Sequence, residues 1–200
     1  MQLFLNATSP YARLARIILL EKDLVDDVTL RWCDPWADDK ALLEVNPAGR
    51  IPALVTDEGT TLSESMLIAV YLDSVSASSP MIPQARLANV LHLAGLGQNL
   101  MDVAFTTVIA RKHYGAEIDH SELGRRRQRA MQRIVEQLDS ELYESQLAPS
   151  ITLGEIACAV ALDYLAFRLP EVRWKEAYPQ LKAWHAVVIA RDSFQQTAFV

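Results

Sequence analysis

The chain is poor in everything that would staple or anchor it. It has two cysteines, Cys33 and Cys158, in 200 residues. They are too few and too far apart for a disulfide framework or a cysteine zinc site. The four histidines, His92, His113, His120 and His185, lack ligand spacing with one another, so no metal site is expected. There is no excess of positive charge; the formal net charge is −6, which argues against a general binder of nucleic acid or membrane surface. No run of 18 apolar residues is present, so no transmembrane helix is expected. The N-terminus lacks a basic region followed by an apolar one, so no signal peptide is read and a reducing cytoplasm is the expected setting. Repeats and low-complexity tracts are missing too.

What is present is ordinary globular composition, 50% hydrophobic and 22% charged. A chain of this length should bury roughly 70% of its unfolded surface, enough for a core without covalent staples.

The first ~75 residues mix strand and helix signals. Leu3 to Leu5 reads as a short apolar strand. Ser9-Pro10 then starts a helix, Ser9 as N-cap and Pro10 in the first helical position, with Leu14, Ile17 and Ile18 at helical spacing behind it. Val28, Leu30 and Trp32 alternate with polar residues, as in a half-buried strand. Asp34 to Val45 is a short helix or loop. Ala53 to Val55 and Thr60 to Leu62 form a hairpin closed by Asp57-Glu58-Gly59. Ser63 is expected to cap the next helix. The order is βαβαββα.

Residues 76–83 read as a linker within a Ser- and Pro-rich stretch. Beyond it everything is helical: Pro83 to about Tyr114, Asp119 to Glu144, Thr152 to Phe167 and Pro179 to Arg191. The helix from Thr152 is apolar nearly all round and should be buried. Thr152 and Glu155 have the spacing of a capping box.

Three segments carry chemistry. Ser9-Pro10-Tyr11-Ala12 lies between a strand and a helix, in the frame of a glutaredoxin Cys-Pro-Tyr-Cys turn with both thiols replaced. A hydroxyl there is either a plain N-cap or a donor to an anion at the helix N-terminus. It cannot perform dithiol exchange. Asn46 to Leu54 places two prolines and a glycine before a short strand. A cis Pro52 would turn the Ile51 backbone outward, where it can pair with a peptide-like ligand; the other reading is a plain loop entering a hairpin. At Ser63-Glu64-Ser65, a carboxylate and a first-turn hydroxyl and N–H can hold the ammonium and carboxylate of an α-amino acid. Capping alone also accounts for those residue types.

Together these segments resemble the glutathione site of glutathione S-transferases. The resemblance covers nearly the whole chain and includes Arg13, Arg16-Ile17, Asp34-Pro35-Trp36, and Thr152-Leu153-Gly154-Glu155. It implies an α+β thioredoxin-like domain (1–75), followed after the linker by an all-α domain (84–200), and a homodimer. It implies Glu64 and Ser65 on the γ-glutamyl group, and Ile51 before Pro52 on the cysteinyl part. Ser9 falls where many members activate the sulfur, and Lys40 or Arg50 near the glycine carboxylate. Asn6 or Thr8 can supply the sulfur-facing group instead of Ser9. A hydrophobic electrophile would lie in an apolar pocket between the domains, with Tyr11, Met101 and Phe105 as candidate lining.

The implied function is a glutathione transferase, a detoxification enzyme with glutathione as co-substrate and no metal. The alternatives are a glutathione-dependent peroxidase or dehalogenase, or a non-catalytic binding protein on the same fold. A free thiol of pKa about 8.5 is roughly 3% ionised at neutral pH. Lowering it by about 2 units makes it roughly 75% ionised and represents about 2.7 kcal/mol. One charge-assisted hydrogen bond of about 1.5–3 kcal/mol plus a helix N-terminus of about 0.3–1 kcal/mol is enough.

Overall fold

The computed structural model describes residues 1–143 and 150–200. The expected end of the second long helix, Glu144, lies outside them.

The N-terminal elements follow the expected order: β1 (Gln2–Leu5), α1 (Pro10–Glu21), β2 (Thr29–Trp32), α2 (Lys40–Val45), β3 (Ala53–Val55), β4 (Thr61–Ser63) and α3 (Ser65–Val75). The four strands make one mixed sheet in the order β2-β1-β3-β4. β1 runs parallel to β2 and antiparallel to β3, and β3 and β4 form the hairpin. Successive side chains of a strand point to opposite faces. Phe4 therefore shares a face with its cross-strand partner Ala53, and Leu42 of α2 packs onto both. Leu3, Leu5 and Leu54 are fully buried on the opposite side of the alternation, and α1 and α3 pack against each other.

β2 is less buried than its alternation suggested, because it is the sheet edge; Trp32 is 55% exposed. Ser63 does not cap α3. It is spent in the β4 ladder opposite Ala53, so the cap position falls to Glu64.

The chain divides into two compact units, residues 1–82 with 192–200, and residues 83–191. The expected linker is tied to the first unit up to Ile82. Lys22, fully buried, donates from Nζ to Asp73 Oδ1 at 2.8 Å and to the carbonyls of Ser78 and Ser79 at 3.2 and 2.9 Å. Asp73 in turn accepts from the N–H groups of Met81 and Ile82. A buried ammonium with its three protons placed is a clip, since removing either partner would leave a charge unpaired. The last nine residues also belong to the first unit, not to the helical one as the sequence suggested.

The second unit holds α4 (Leu87–Tyr114), α5 (Glu122–Glu141), α6 (Leu153–Arg168), α7 (Trp174–Ala177) and α8 (Pro179–Ile189). α6 is the buried helix, with every residue from Leu153 to Leu162 buried. Its capping box is formed: Thr152 N–H donates to Glu155 Oε2 at 2.7 Å, and Glu155 N–H donates to Thr152 Oγ1 at 3.3 Å. α4 and α6 touch backbone to backbone. A Cβ on Gly97 would lie 2.5 Å from the Ala157 carbonyl carbon, and one on Gly154 would lie 2.8 Å from the Val90 oxygen. α4 with the turn before it is long and apolar enough, by length and composition, to cross a membrane; here it packs against α5 and α6.

Candidate functional site

Ser9 stands at the N-cap of α1 in extended conformation, and its Oγ accepts from Ala12 N–H at 3.2 Å. Pro10 occupies the first helical position, and Arg13 N–H closes the turn onto the Ser9 carbonyl at 3.0 Å. A hydroxyl has two lone pairs and one proton. Capping uses a lone pair and leaves the Ser9 proton available to an external acceptor. The Asn6 side-chain oxygen Oδ1 organises the turn, since it accepts from the N–H groups of Thr8 at 3.2 Å and Ser9 at 2.9 Å. Those two backbone donors are thereby spent. The groups weighed for this position that can donate to a sulfur are the hydroxyls of Ser9 and Thr8, the side-chain amide N–H of Asn6, and other backbone N–H groups of the turn.

A second feature is a cleft lined by Tyr11, Asn46, Arg50, Ile51, Pro52, Glu64 and Ser65. Its lower wall is the loop after α2, organised by Asn46, which is buried to 7% exposure. Asn46 Nδ2 donates to the Arg50 carbonyl at 2.7 Å, and its Oδ1 accepts from Ala48 N–H at 3.2 Å. Gly49 adopts φ +62°, a conformation that costs glycine little. The Ile51–Pro52 peptide is cis, and β3 pairing begins directly after it at Ala53.

The facing wall is the start of α3. Glu64 sits at φ +69°, an unfavourable region for a residue with a Cβ. Ser65, the first helical residue, is buried to 3%. α3 has no side-chain cap, and the first intrahelical bond runs from Ile68 N–H to the Glu64 carbonyl. The N–H groups of the first turn are thus left without helical partners, at the positive end of the helix dipole. Arg50 Nη1 and Glu64 Oε1 lie 3.7 Å apart with side chains 65% and 60% exposed. A pair so exposed contributes at most about 1 kcal/mol, and either member can exchange its partner for a ligand. A carboxylate, a guanidinium and a bare helix N-terminus within one cleft suit a zwitterion.

Of the residues read from the sequence, the cleft gathers Arg50, Ile51, Pro52, Glu64 and Ser65. Tyr11, expected on an apolar pocket, lines this cleft instead. Neither Ser9 nor Lys40 is among its lining residues; Ser9 caps α1, and Lys40 is exposed at the start of α2. Met101 is fully buried on α4 and presents no surface to a ligand, while Phe105 is half-buried on the same helix. Neither cysteine competes as a nucleophile. Burial, and next the charge of Asp39, push the Cys33 thiol above its ordinary pKa, and burial does the same more strongly to Cys158.

Two residues of consequence escaped the sequence reading. The role of Asn46 has a signal in the sequence, since Asn followed by Pro and Gly is a turn with a mechanism. Arg13 has one too, as a cation among the apolar positions of α1.

The chain is similar to known proteins over nearly its whole length. Family models described as glutathione S-transferase N-terminal domain and C-terminal domain match residues 8–75 and 121–186. An uncharacterized glutathione S-transferase-like protein of Escherichia coli, YibF, is 30% identical over 200 residues, covering 98% of each chain. A glutathione transferase family member from Pseudomonas fluorescens, solved with bound glutathione, superposes with a TM-score of 0.89 at 33% identity, over 100% of this chain and 98% of that one. A second structure from that organism, with bound S-(propanoic acid)-glutathione, gives 0.86 at 32% over 100% of both chains.

Proposed function

This chain belongs to the glutathione S-transferase family, and we propose that it binds glutathione in the cleft beside α3 and stabilises the thiolate for attack on a hydrophobic electrophile. The observation that carries the reading is the pairing of Glu64 and buried Ser65 at an uncapped helix N-terminus, facing Arg50 and the Ile51–Pro52 segment. The two structural relatives that hold glutathione and an S-substituted glutathione support it.

In this reading the first-turn N–H groups of α3 and the Ser65 hydroxyl receive the γ-glutamyl carboxylate, and Glu64 receives its ammonium. The Ile51 backbone pairs with the cysteinyl residue in the manner of an added strand. Arg50 is released from Glu64 and turns to the glycine carboxylate. Ser9 keeps its proton and donates it as a hydrogen bond to the sulfur. The thiol proton leaves to solvent, the thiolate pair forms a sulfur–carbon bond, and the leaving group departs with its electrons. The working unit is a homodimer.

The test has two stages. Calorimetric titration and thermal shift with glutathione measure binding, because a ligand held only by the native state raises stability. Turnover with a chlorinated nitroaromatic and with an organic hydroperoxide then separates conjugation from peroxide reduction. Binding with conjugation is the expected result. Binding with peroxide turnover alone moves the assignment to a peroxidase, and binding without turnover to a non-catalytic protein. No binding at millimolar glutathione refutes the proposal.

A further inference from the structure

We infer that the nine-residue C-terminal segment is a positioning element for the Ser9 turn, acting through Arg13; this rests on the reading of Ser9 given above. Arg13 is one helical turn beyond Ser9 and is buried to 3%, although a guanidinium is always charged. Burying a charge is costly unless its donors are satisfied. Here the acceptors come from the far end of the chain. Arg13 Nη2 donates to the Phe194 carbonyl at 3.3 Å, Nε approaches Thr197 Oγ1 at 3.5 Å, and the guanidinium lies 4.5 Å from the centre of the Phe199 ring.

The same segment holds α1 at two further points. Arg16 Nη2 donates to the Gln196 carbonyl at 3.3 Å, and Ser193 Oγ donates to Glu21 Oε1 at 2.5 Å. Arg13 and Arg16 repel each other: burial and then the Arg13 charge lower the Arg16 pKa. Two cations three residues apart on one helix are therefore held by carbonyls of the C-terminal segment. Loss of that segment removes these acceptors from both, and α1 shifts in response. Because the Arg13 N–H also closes the first turn onto the Ser9 carbonyl, a shift of Arg13 is a shift of the hydroxyl. A hydrogen bond to a developing charge weakens steeply with misplacement, so the effect should fall on the ionisation of the bound thiol rather than on its capture.

The test uses the full chain with four variants. Phe199→Leu removes the ring from Arg13, Phe199→Tyr keeps it, and Arg13→Lys removes the guanidinium fork. Asp73→Asn weakens the same unit at the Lys22 clip, at the far end of α1 from Ser9, and serves as the comparison for a general loss of stability. The readouts are the pH midpoint of the bound glutathione thiolate by ultraviolet absorbance, and kcat and KM for glutathione. For Phe199→Leu the midpoint should rise by about one pH unit, which lowers the thiolate fraction at pH 7 about threefold and kcat with it. Activity should recover at pH 9, with KM within twofold of wild type. Phe199→Tyr should restore the wild-type midpoint, and Asp73→Asn should lower Tm while leaving the midpoint in place. Arg13→Lys should resemble Phe199→Leu, and if it fails to fold the Phe199 pair decides. If Phe199→Leu lowers Tm as Asp73→Asn does and the midpoint stays at the wild-type value, the segment is only structural and the inference falls. A wild type that binds glutathione with no ionised thiol overturns the Ser9 reading first, and this one with it.

Discussion

Glu64 carries both charge and backbone strain, and substitution by glycine separates the two. At φ +69° a residue with a Cβ pays a conformational cost of about 1–3 kcal/mol. Glycine relieves that cost, and gives back about 0.5–1 kcal/mol through the greater freedom of the unfolded chain. The lost Arg50 pairing adds little, because both side chains are more than half exposed. Glu64→Gly should therefore leave the apoprotein as stable as wild type or more so, by up to about 2 kcal/mol. For a chain of this size that corresponds to a Tm rise of up to roughly 4–8 °C. Binding should move the opposite way. A charge-assisted hydrogen bond is worth about 1.5–3 kcal/mol, so the glutathione Kd should rise by roughly 13- to 160-fold. Calorimetric titration and differential scanning calorimetry on the same preparation give both numbers. A variant less stable than wild type with unchanged affinity would refute the claim that strain is retained at Glu64 for binding.

Other expectations follow from single features. Ser9→Ala should cut turnover and raise the pH midpoint of the bound thiolate by about 1–2 units while changing the Kd for glutathione less; an unchanged midpoint, read by absorbance, transfers the role to Thr8, Asn6 or the backbone. Gly97→Ala should lower Tm by up to about 8 °C, because the new methyl meets the Ala157 and Cys158 backbone at 2.5 and 2.7 Å, and overpacking of up to about 3 kcal/mol outweighs the helix gain of about 1 kcal/mol. A higher Tm would show that α4 and α6 can move apart at little cost. Alkaline stability should respond to Cys158. Burial raises its pKa in the folded state, so the unfolded thiol ionises first as pH climbs past about 8.5, and stability present below that pH is lost above it. The slope should approach 1.4 kcal/mol per pH unit for this group, seen in denaturant melts between about pH 9 and 10, and Cys158→Ala should flatten it. Equal slopes would contradict the assignment.

Much of the architecture is written locally. The strand signal at Leu3–Leu5, the Ser9-Pro10 start, the hairpin and the capping box at Thr152 each rest on residues within a few positions of one another, and local rules find such features. What escaped the sequence depends on distant partners. Ser63 has the chemistry of a cap, yet the ladder with Ala53 claims it and pushes the start of α3 one residue on. Nothing near residue 192 reveals that the chain returns to α1, because the acceptors it offers are backbone carbonyls that every sequence has. The site divides in the same way. Glu64 and Ser65 are legible as a pair, whereas the role of the Asn6 oxygen in the turn and the meeting of Tyr11 and Asn46 in the same cleft are set by the folded geometry.

The central claim is that the cleft beside α3 holds glutathione with its sulfur at the Ser9 hydroxyl. A crystal structure of the glutathione complex measures this directly. The account predicts the γ-glutamyl group on Glu64 and Ser65 and the sulfur within about 3.5 Å of Ser9 Oγ. A tripeptide bound elsewhere, or one whose sulfur is turned away from the start of α1, would contradict it.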